Sequence, residues 1–253
     1  MLRSNFSLIH LNINLIIMLM VKISYCISIM NRLYQLKETL QDNINNSSDQ
    51  SEFIIVDYNS NDGLKEYIYN NFENELTSGK LKYYFTDKIK YWHASICKNT
   101  THMIANGKYL VNLDCDNFIG NNGDELIINT FNDNGDNIII SQSDYIMGSG
   151  NAGRISILKE NFIKLGGYDE SFYPMGFQDY DLIKRGEKMG IKLINLNKNN
   201  NCIKNTKEES IKNIGIKLEY KKMNNINKLL SMVNIDNNNL KANLFRGIGI
   251  SII

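Results

Sequence analysis

The chain has 253 residues, 43% of them hydrophobic, enough for one large α/β domain or two small ones with a genuine core. Its formal net charge of +1 excludes bulk electrostatic attachment to nucleic acid or anionic lipid. The four cysteines, Cys26, Cys97, Cys115 and Cys202, form no C-x-x-C pair and are expected to be reduced, mostly buried thiols rather than a zinc site. At the start, "LIHLNINLIIMLMV" (8–21) is apolar but interrupted by His10, Asn12 and Asn14, short of the roughly 20 apolar residues a spanning helix needs. "VKISYC" is a poor signal-cleavage site. Residues 1–21 therefore read as an apolar leader, packed on the domain or serving as a weak membrane anchor. A cytoplasmic protein with no clear membrane span is expected.

From residue 22 strands and helices alternate. "ISYCISI" (23–29) predicts a strand, and "RLYQLKETLQDNI" (32–44) a helix with Leu33, Leu36, Leu40 and Ile44 at helical spacing. "EFIIVD" (52–57) is a second strand, followed by a turn and a helical stretch from Gly63 to about Leu76. "KLKYYF" (80–85) is a third, and His93 to Asn106 a helix capped by Gly107. "YLVNL" (109–113) is a fourth strand, delivering Asp114 and Asp116 to the loop beyond it. This order predicts a mostly parallel central sheet flanked by helices, with ligands outside the carboxyl ends of its strands. Asp57 and the Asp114/Asp116 pair fall at such ends. Two like charges one residue apart repel, and need either water or a cation between them.

The second half is less regular. "NIIIS" and "GRISIL" predict strands, "KENFIKLGG" a short helix stopped by Gly166 and Gly167, and "QDYDLIKRGEKMG" a helix ending at Gly190. Asp181 and Arg185 are four apart, spaced to pair on an exposed helix face for about 0.3–0.5 kcal/mol. Beyond residue 206 the chain is Lys- and Asn-rich; 208–233 reads as one amphipathic helix and "NIDNNN" as a loose tail.

Four stretches, in order, resemble the family-2-like glycosyltransferases of the GT-A (nucleotide-diphospho-sugar transferase) fold. They are "SYCISIMNRLYQLKETL", "FIIVDYNSNDG", "CKNTTHMIANGKYLVNLDCDN" and "GRISILKENFIKLGGYDESFYPMGFQDYDLIKR", and they span roughly residues 22 to 190. The last resembles a galactosyltransferase-type C-terminal module. The resemblance implies a GT-A domain over 22–205, with a nucleotide half (about 22–120) and an acceptor half (about 121–205), then a helical tail over 206–253.

It also implies a reaction and its residues. A hexose, galactose or N-acetylgalactosamine, would pass with inversion from a UDP-sugar to a hydroxyl of a glycan, protein or lipid acceptor. Mn²⁺ or Mg²⁺ would stabilise the diphosphate leaving group. Asp116 would ligate the metal, with Asp114 as a second metal-side carboxylate lying near the ribose. Asp57, Asn31, Arg32, Lys98 and Asn99 would contact the nucleotide-sugar. Asp179 would be the general base, and Gln178, Tyr168 and Phe172 would face the acceptor.

Two departures stand out. Gln178 occupies a position where the family carries Glu, and no His follows the motif where a metal-ligating His is expected. Lys204 and Asn205 stand there instead, Asn205 with a weak carbonyl ligand to offer. They favour, as an alternative, a non-catalytic sugar- or protein-binding module on a decayed fold. A nucleotidyltransferase is the other alternative, but "SIMNRLYQ" lacks the glycines of a phosphate loop.

Overall fold

The structure, a computed structural model, describes residues 22–142, 153–196, 202–245 and 247–252. The leader of residues 1–21 lies outside the described residues. Seven strands form one sheet: β1 (Ile23–Ile29), β2 (Ser51–Tyr58), β3 (Leu81–Thr86), β4 (Tyr109–Asn112), β5 (Ile138–Ser141), β6 (Ile155–Leu158) and β7 (Lys192–Asn195). Their order is β3-β2-β1-β4-β6-β5-β7. All neighbours are parallel except at β6, which runs antiparallel to both β4 and β5. "GRISIL" is equally apolar in either direction, so its sequence carries no sign of this reversal. The reversal matters: it brings the start of β6, with Gly153 and Arg154, to the same end of the sheet as the exits of β1, β2 and β4.

β1 and β2 are buried on both sides, as parallel strands under helices must be. Ile23, Tyr25, Ile27 and Ile29 point into one half of the core, where Leu33, Leu36, Leu40 and Ile44 of helix α1 (Leu33–Asn45) meet them. Helix α2 (Leu64–Asn71) adds Leu64 and Ile68, and α5 (Gly123–Asn134) adds Ile127 and Phe131. Cys26, Ile54 and Val56 face the other half with α4 (Ala94–Ile104), α6 (Lys159–Lys164) and α7 (Gln178–Lys188). Phe72 interrupts the helical stretch after Gly63, so that α3 (Glu73–Ser78) is a separate short helix. Among the described residues no cysteine is in a disulfide, and Cys202 alone of the four is not fully buried.

Several local expectations change. Gly107 is not a helix cap: α4 ends at Ile104, and Ala105 is already extended. A Cβ at Gly107 would stand 2.6 Å from the Ser24 backbone nitrogen, so glycine is needed for close approach to β1. The Asp181–Arg185 pair forms at 2.7 Å, but both side chains are buried rather than on an exposed face. The segment after 206 is two helices, α8 (Lys207–Ile211) and α9 (Tyr220–Asp236). Beyond α9 the chain is tied down: Ala242 N–H donates to Leu165 O, Asn243 to Gly166 O, and Gly249 N–H to Glu170. Among the described residues no helix is long and apolar enough to cross a membrane.

His102 on α4 is buried with its ring stacked on Phe162 (centroids 4.9 Å apart), and its Nδ1–H donates to Lys98 O at 2.7 Å. Burial pushes its pKa down to about 3. The folded state thus refuses a proton that the unfolded chain accepts below about pH 6.5, and stability falls with pH at up to about 1.4 kcal/mol per unit. The stability advantage of wild type over His102→Asn is therefore expected to shrink by about 2 kcal/mol between pH 7 and pH 5. Urea titrations of both proteins at the two pH values check this. Parallel pH dependences would place the effect elsewhere.

Candidate active site

The exits of β1 and β4, the start of β6 and the first turn of α7 surround a cleft of about 560 Å³. The segment carrying α8 closes one side of it. Arg32, Lys98, Asp114, Asp116, Gln178 and Asp179 all line this cleft, with Trp92, Met175 and Tyr220 as its apolar and aromatic wall. Residues as distant in sequence as Arg32, Lys98, Asp179 and Tyr220 are thereby gathered on one surface. Asp114 and Asp116 follow β4 because Leu113 still bonds to Cys26 O, after which the chain turns through Asn117 N–H to Asp114 O.

Lys98 is the electrostatic centre. Its Nζ lies 2.8 Å from Asp179 Oδ1 and 3.6 Å from Asp114 Oδ1, above the ring of Tyr168. Burial alone would push this ammonium down, but Asp114 and Asp179 hold it well above its usual range. Burial raises the Asp179 carboxyl; Lys98 opposes that shift and Asp114 adds to it. Asp179 is set in the first turn of α7 by Phe177, whose φ of 67° is a left-handed conformation uncommon for a side chain this large. A Cβ at Gly153 would lie 3.0 Å from Asp114 Oδ2, 3.0 Å from Lys98 Nζ and 3.2 Å from Asp179 Oδ2. Glycine at 153 keeps the space between these three groups open.

Asp116 is pushed up to about 6 by burial and by Asp114 beside it, with Arg32 opposing. Two carboxylates held together against these forces form an oxygen donor set of the kind hard divalent cations prefer. The residues present therefore fit a metal. Among the described residues no group of three His, Cys, Asp or Glu side chains could hold one unaided, so Asp116 and Asp114 would share it with ligand oxygens.

Other expected site residues sit elsewhere. The Asn99 side chain is buried and committed to the "GGYDE" loop, donating to Tyr168 O and Glu170 and accepting from Tyr168 N–H. It shapes the loop behind the cleft and does not line the cleft. Tyr168 and Phe172 are likewise core side chains, Tyr168 lying under Lys98. Asn31 and Asp57 form a polar knot at the ends of β1 and β2, beside the cleft but not on its wall. Asn31 accepts from Asn61 N–H, while Asp57 accepts from Ser60 N–H at 2.8 Å and Tyr83 O–H at 2.6 Å.

Other contributors carry no mark in the sequence. Asn227 of α9 donates to the carbonyls of Tyr173, Met175 and Gly176 and accepts from Tyr173 N–H, clamping the loop that carries Met175 into the cleft. Asn213 bonds to Met30 O, tying the α8 segment to the exit of β1.

This sheet, with paired aspartates at the exit of a central strand and a cleft above them, is that of a GT-A-fold glycosyltransferase. The chain belongs to glycosyl transferase family 2, whose sequence profile matches residues 24–204. It is similar in structure to S. aureus TarS (residues 1–349, with UDP-GlcNAc), at TM-score 0.63 and 14% identity over 89% of this chain and 68% of that one. It is also similar to mannosyltransferase PcManGT from Pyrobaculum calidifontis with GDP-Man and Mn²⁺ (0.56, 17%, over 69% and 54%). A third likeness is to GalNAc-T7 with UDP, GalNAc and Mn²⁺ (0.58, 15%, over 70% and 42%). At these identities the likeness is one of fold, and the chain spans about half the length of the mannosyltransferase. No curated protein matches the chain.

Proposed function

We propose that the chain is a metal-dependent, inverting glycosyltransferase that moves a hexose from a UDP-sugar to an acceptor hydroxyl. Galactose or N-acetylgalactosamine is the sugar favoured by the "GGYDE" to "GFQDYD" block. The observation that carries this reading is the meeting of Asp114, Lys98 and Asp179 around the open space at Gly153. Asp179 Oδ1 is taken by Lys98, whereas Oδ2 faces that space, available to receive a proton from an attacking hydroxyl. As the acceptor oxygen bonds to the anomeric carbon on one face, the bond to the diphosphate breaks on the other, which inverts the centre. A divalent cation held by Asp116 and Asp114 would offset the charge that gathers on the departing diphosphate. Arg32 and Lys204 also line the cleft and add positive potential to it. Gln178, a neutral amide, can still hydrogen-bond an acceptor hydroxyl, so its place in the cleft is compatible with transfer.

The direct test is UDP release from a panel of UDP-sugars with Mn²⁺ and candidate acceptors. No release and no nucleotide binding with any donor would favour a non-catalytic binding module. A second measurement isolates the metal. UDP affinity in the presence of Mn²⁺ is expected to fall sharply in Asp116→Ala, and equally in wild type with chelator. Calorimetry that finds the same affinity in all three samples removes the metal from this account.

A further inference from the structure

Asp116 receives an amide on each of its oxygens. Asn117 Nδ2 donates to Oδ1 at 2.5 Å, and Asn205 Nδ2 donates to Oδ2 at 2.5 Å. Behind each amide stands an arginine. On one side Arg154 Nη2 donates to Asn117 Oδ1 at 2.6 Å. On the other, Arg32 Nη1 donates to Gln35 Oε1 at 3.1 Å, and Gln35 Nε2 donates to Asn205 Oδ1 at 2.6 Å. A guanidinium has donors only, so the oxygen of the amide facing it must point towards it. That leaves each NH₂ group no choice but to point away, down the chain, to Asp116. The usual ambiguity between the two ends of an amide is thus resolved by the network itself.

We propose that these two arginine-anchored amide relays are the positioning machinery of Asp116, and that Asn205 orients this carboxylate as a donor rather than joining it as a metal ligand. This rests on the reading of Asp116 as the metal-side carboxylate of the transferase. Asn205 stands about where a ligating His was expected, yet the end it presents to the site is the wrong one for a cation. Turning it round would set its oxygen against Asp116 Oδ2 and its NH₂ against the NH₂ of Gln35. The relay therefore replaces a third protein ligand with a fixed orientation for the carboxylate that remains. Groups behind a metal ligand that fix its direction typically contribute 10- to 100-fold in metal affinity.

Burial supports the assignment. Gln35, Asn117 and Arg154 are all buried, Arg154 to 2% exposure. Among the described residues Arg154 Nε and Nη1 have no partner, so its one described side-chain bond is the one to Asn117. A buried guanidinium with so few partners is costly, and its position behind the Asp114/Asp116 loop is where a fixed positive charge acts on both carboxylates. Asn117 is further held by its backbone, which accepts from Asn43 Nδ2 at 2.9 Å.

Gln35→Met is the sharpest variant, because Gln35 touches neither Asp116 nor the cleft and Met keeps its length. Mn²⁺ affinity in the presence of UDP, measured by calorimetry, is expected to fall by about tenfold or more, with a melting curve confirming the fold. Unchanged affinity in a folded Gln35→Met protein overturns the relay. A readout on the wild-type protein itself runs alongside it: ¹⁵N spectroscopy of the side-chain amides in the metal-free state. The Asn205 NH₂ resonance, assigned by its loss in Asn205→Ser, is expected to be shifted downfield and protected from exchange. It should stay so when Mg²⁺ and UDP are added. An unshifted resonance, or one that moves to the position of a free amide on adding Mg²⁺ and UDP, overturns the proposal. Wild-type protein that binds no UDP with Mn²⁺ overturns the transferase reading instead, and the metal-free resonance still decides the relay.

Discussion

Asp179→Asn is expected to turn over about 10²- to 10⁴-fold more slowly than wild type at saturating donor, with donor affinity nearly unchanged. The amide keeps the shape of the carboxylate and can still accept from Lys98 at the Oδ1 position, so the first turn of α7 should hold. What it loses is a proton acceptor at Oδ2, the atom facing the open space at Gly153. Since Asp179 and Asp114 share Lys98, a small change in metal-dependent UDP affinity is tolerable, whereas a large one is not. Rates at saturating UDP-sugar, set beside calorimetric UDP affinities, separate the two effects. A variant that turns over at near wild-type rate would show that the base lies elsewhere or that the reaction proceeds with retention.

Arg185→Leu should act on the fold and not on the chemistry. Arg185 bonds to Asp181 at 2.7 Å, to Leu165 O at 2.8 Å and to Gly167 O at 2.7 Å, all out of contact with water. Removing it strands a buried carboxylate and two buried carbonyls together. Breaking one side of such a pair costs about 3–5 kcal/mol, roughly ten times what the same pair would contribute on an exposed helix face. Urea unfolding measures this directly. A loss under about 1 kcal/mol would mean that water or a rearranged backbone takes over the abandoned groups. Arg185→Lys should recover little, because an ammonium cannot reach a carboxylate and two carbonyls from one fixed plane.

The contrast between these two aspartates shows what is legible in this chain and what is not. Strands β1, β2 and β4 announce themselves because a sheet covered on both faces needs nearly continuous apolar runs. Their exits then point to Asp57, Asp114 and Asp116 through the topological rule for ligand sites. The i,i+4 spacing of Asp181 and Arg185 is legible too, but spacing does not say which face of a helix is covered. The same blindness misplaces Asn99, Tyr168 and Phe172: each lies in a motif that contributes other residues to the cleft, while its own side chain turns into the core. Gly107 is misread as a helix cap for a similar reason, since close approach and left-handed turns both call for glycine. The amide relays are the least legible feature of all. Gln35 and Asn205 are 170 residues apart, and a lone Gln on an amphipathic helix carries no mark of its partner.

The clamp formed by Asn227 has a consequence for how the enzyme is made. Synthesis proceeds from the N-terminus, and a chain elongated as far as residue 205 already carries Asp114, Asp116, Lys98 and Asp179. It does not yet carry Asn213, Tyr220 or Asn227, which secure the α8 segment, line the cleft and hold the 173–176 loop in place. On the ribosome the charged groups therefore emerge before the residues that wall them in, and the cleft stays unfinished until those residues follow. Arg185, too, waits for a late partner, the carbonyl of Leu240 at 3.4 Å. Competence is thus deferred until the stretch from Asn213 to Leu240 has been made, although none of the acidic groups proposed for the reaction lies in it.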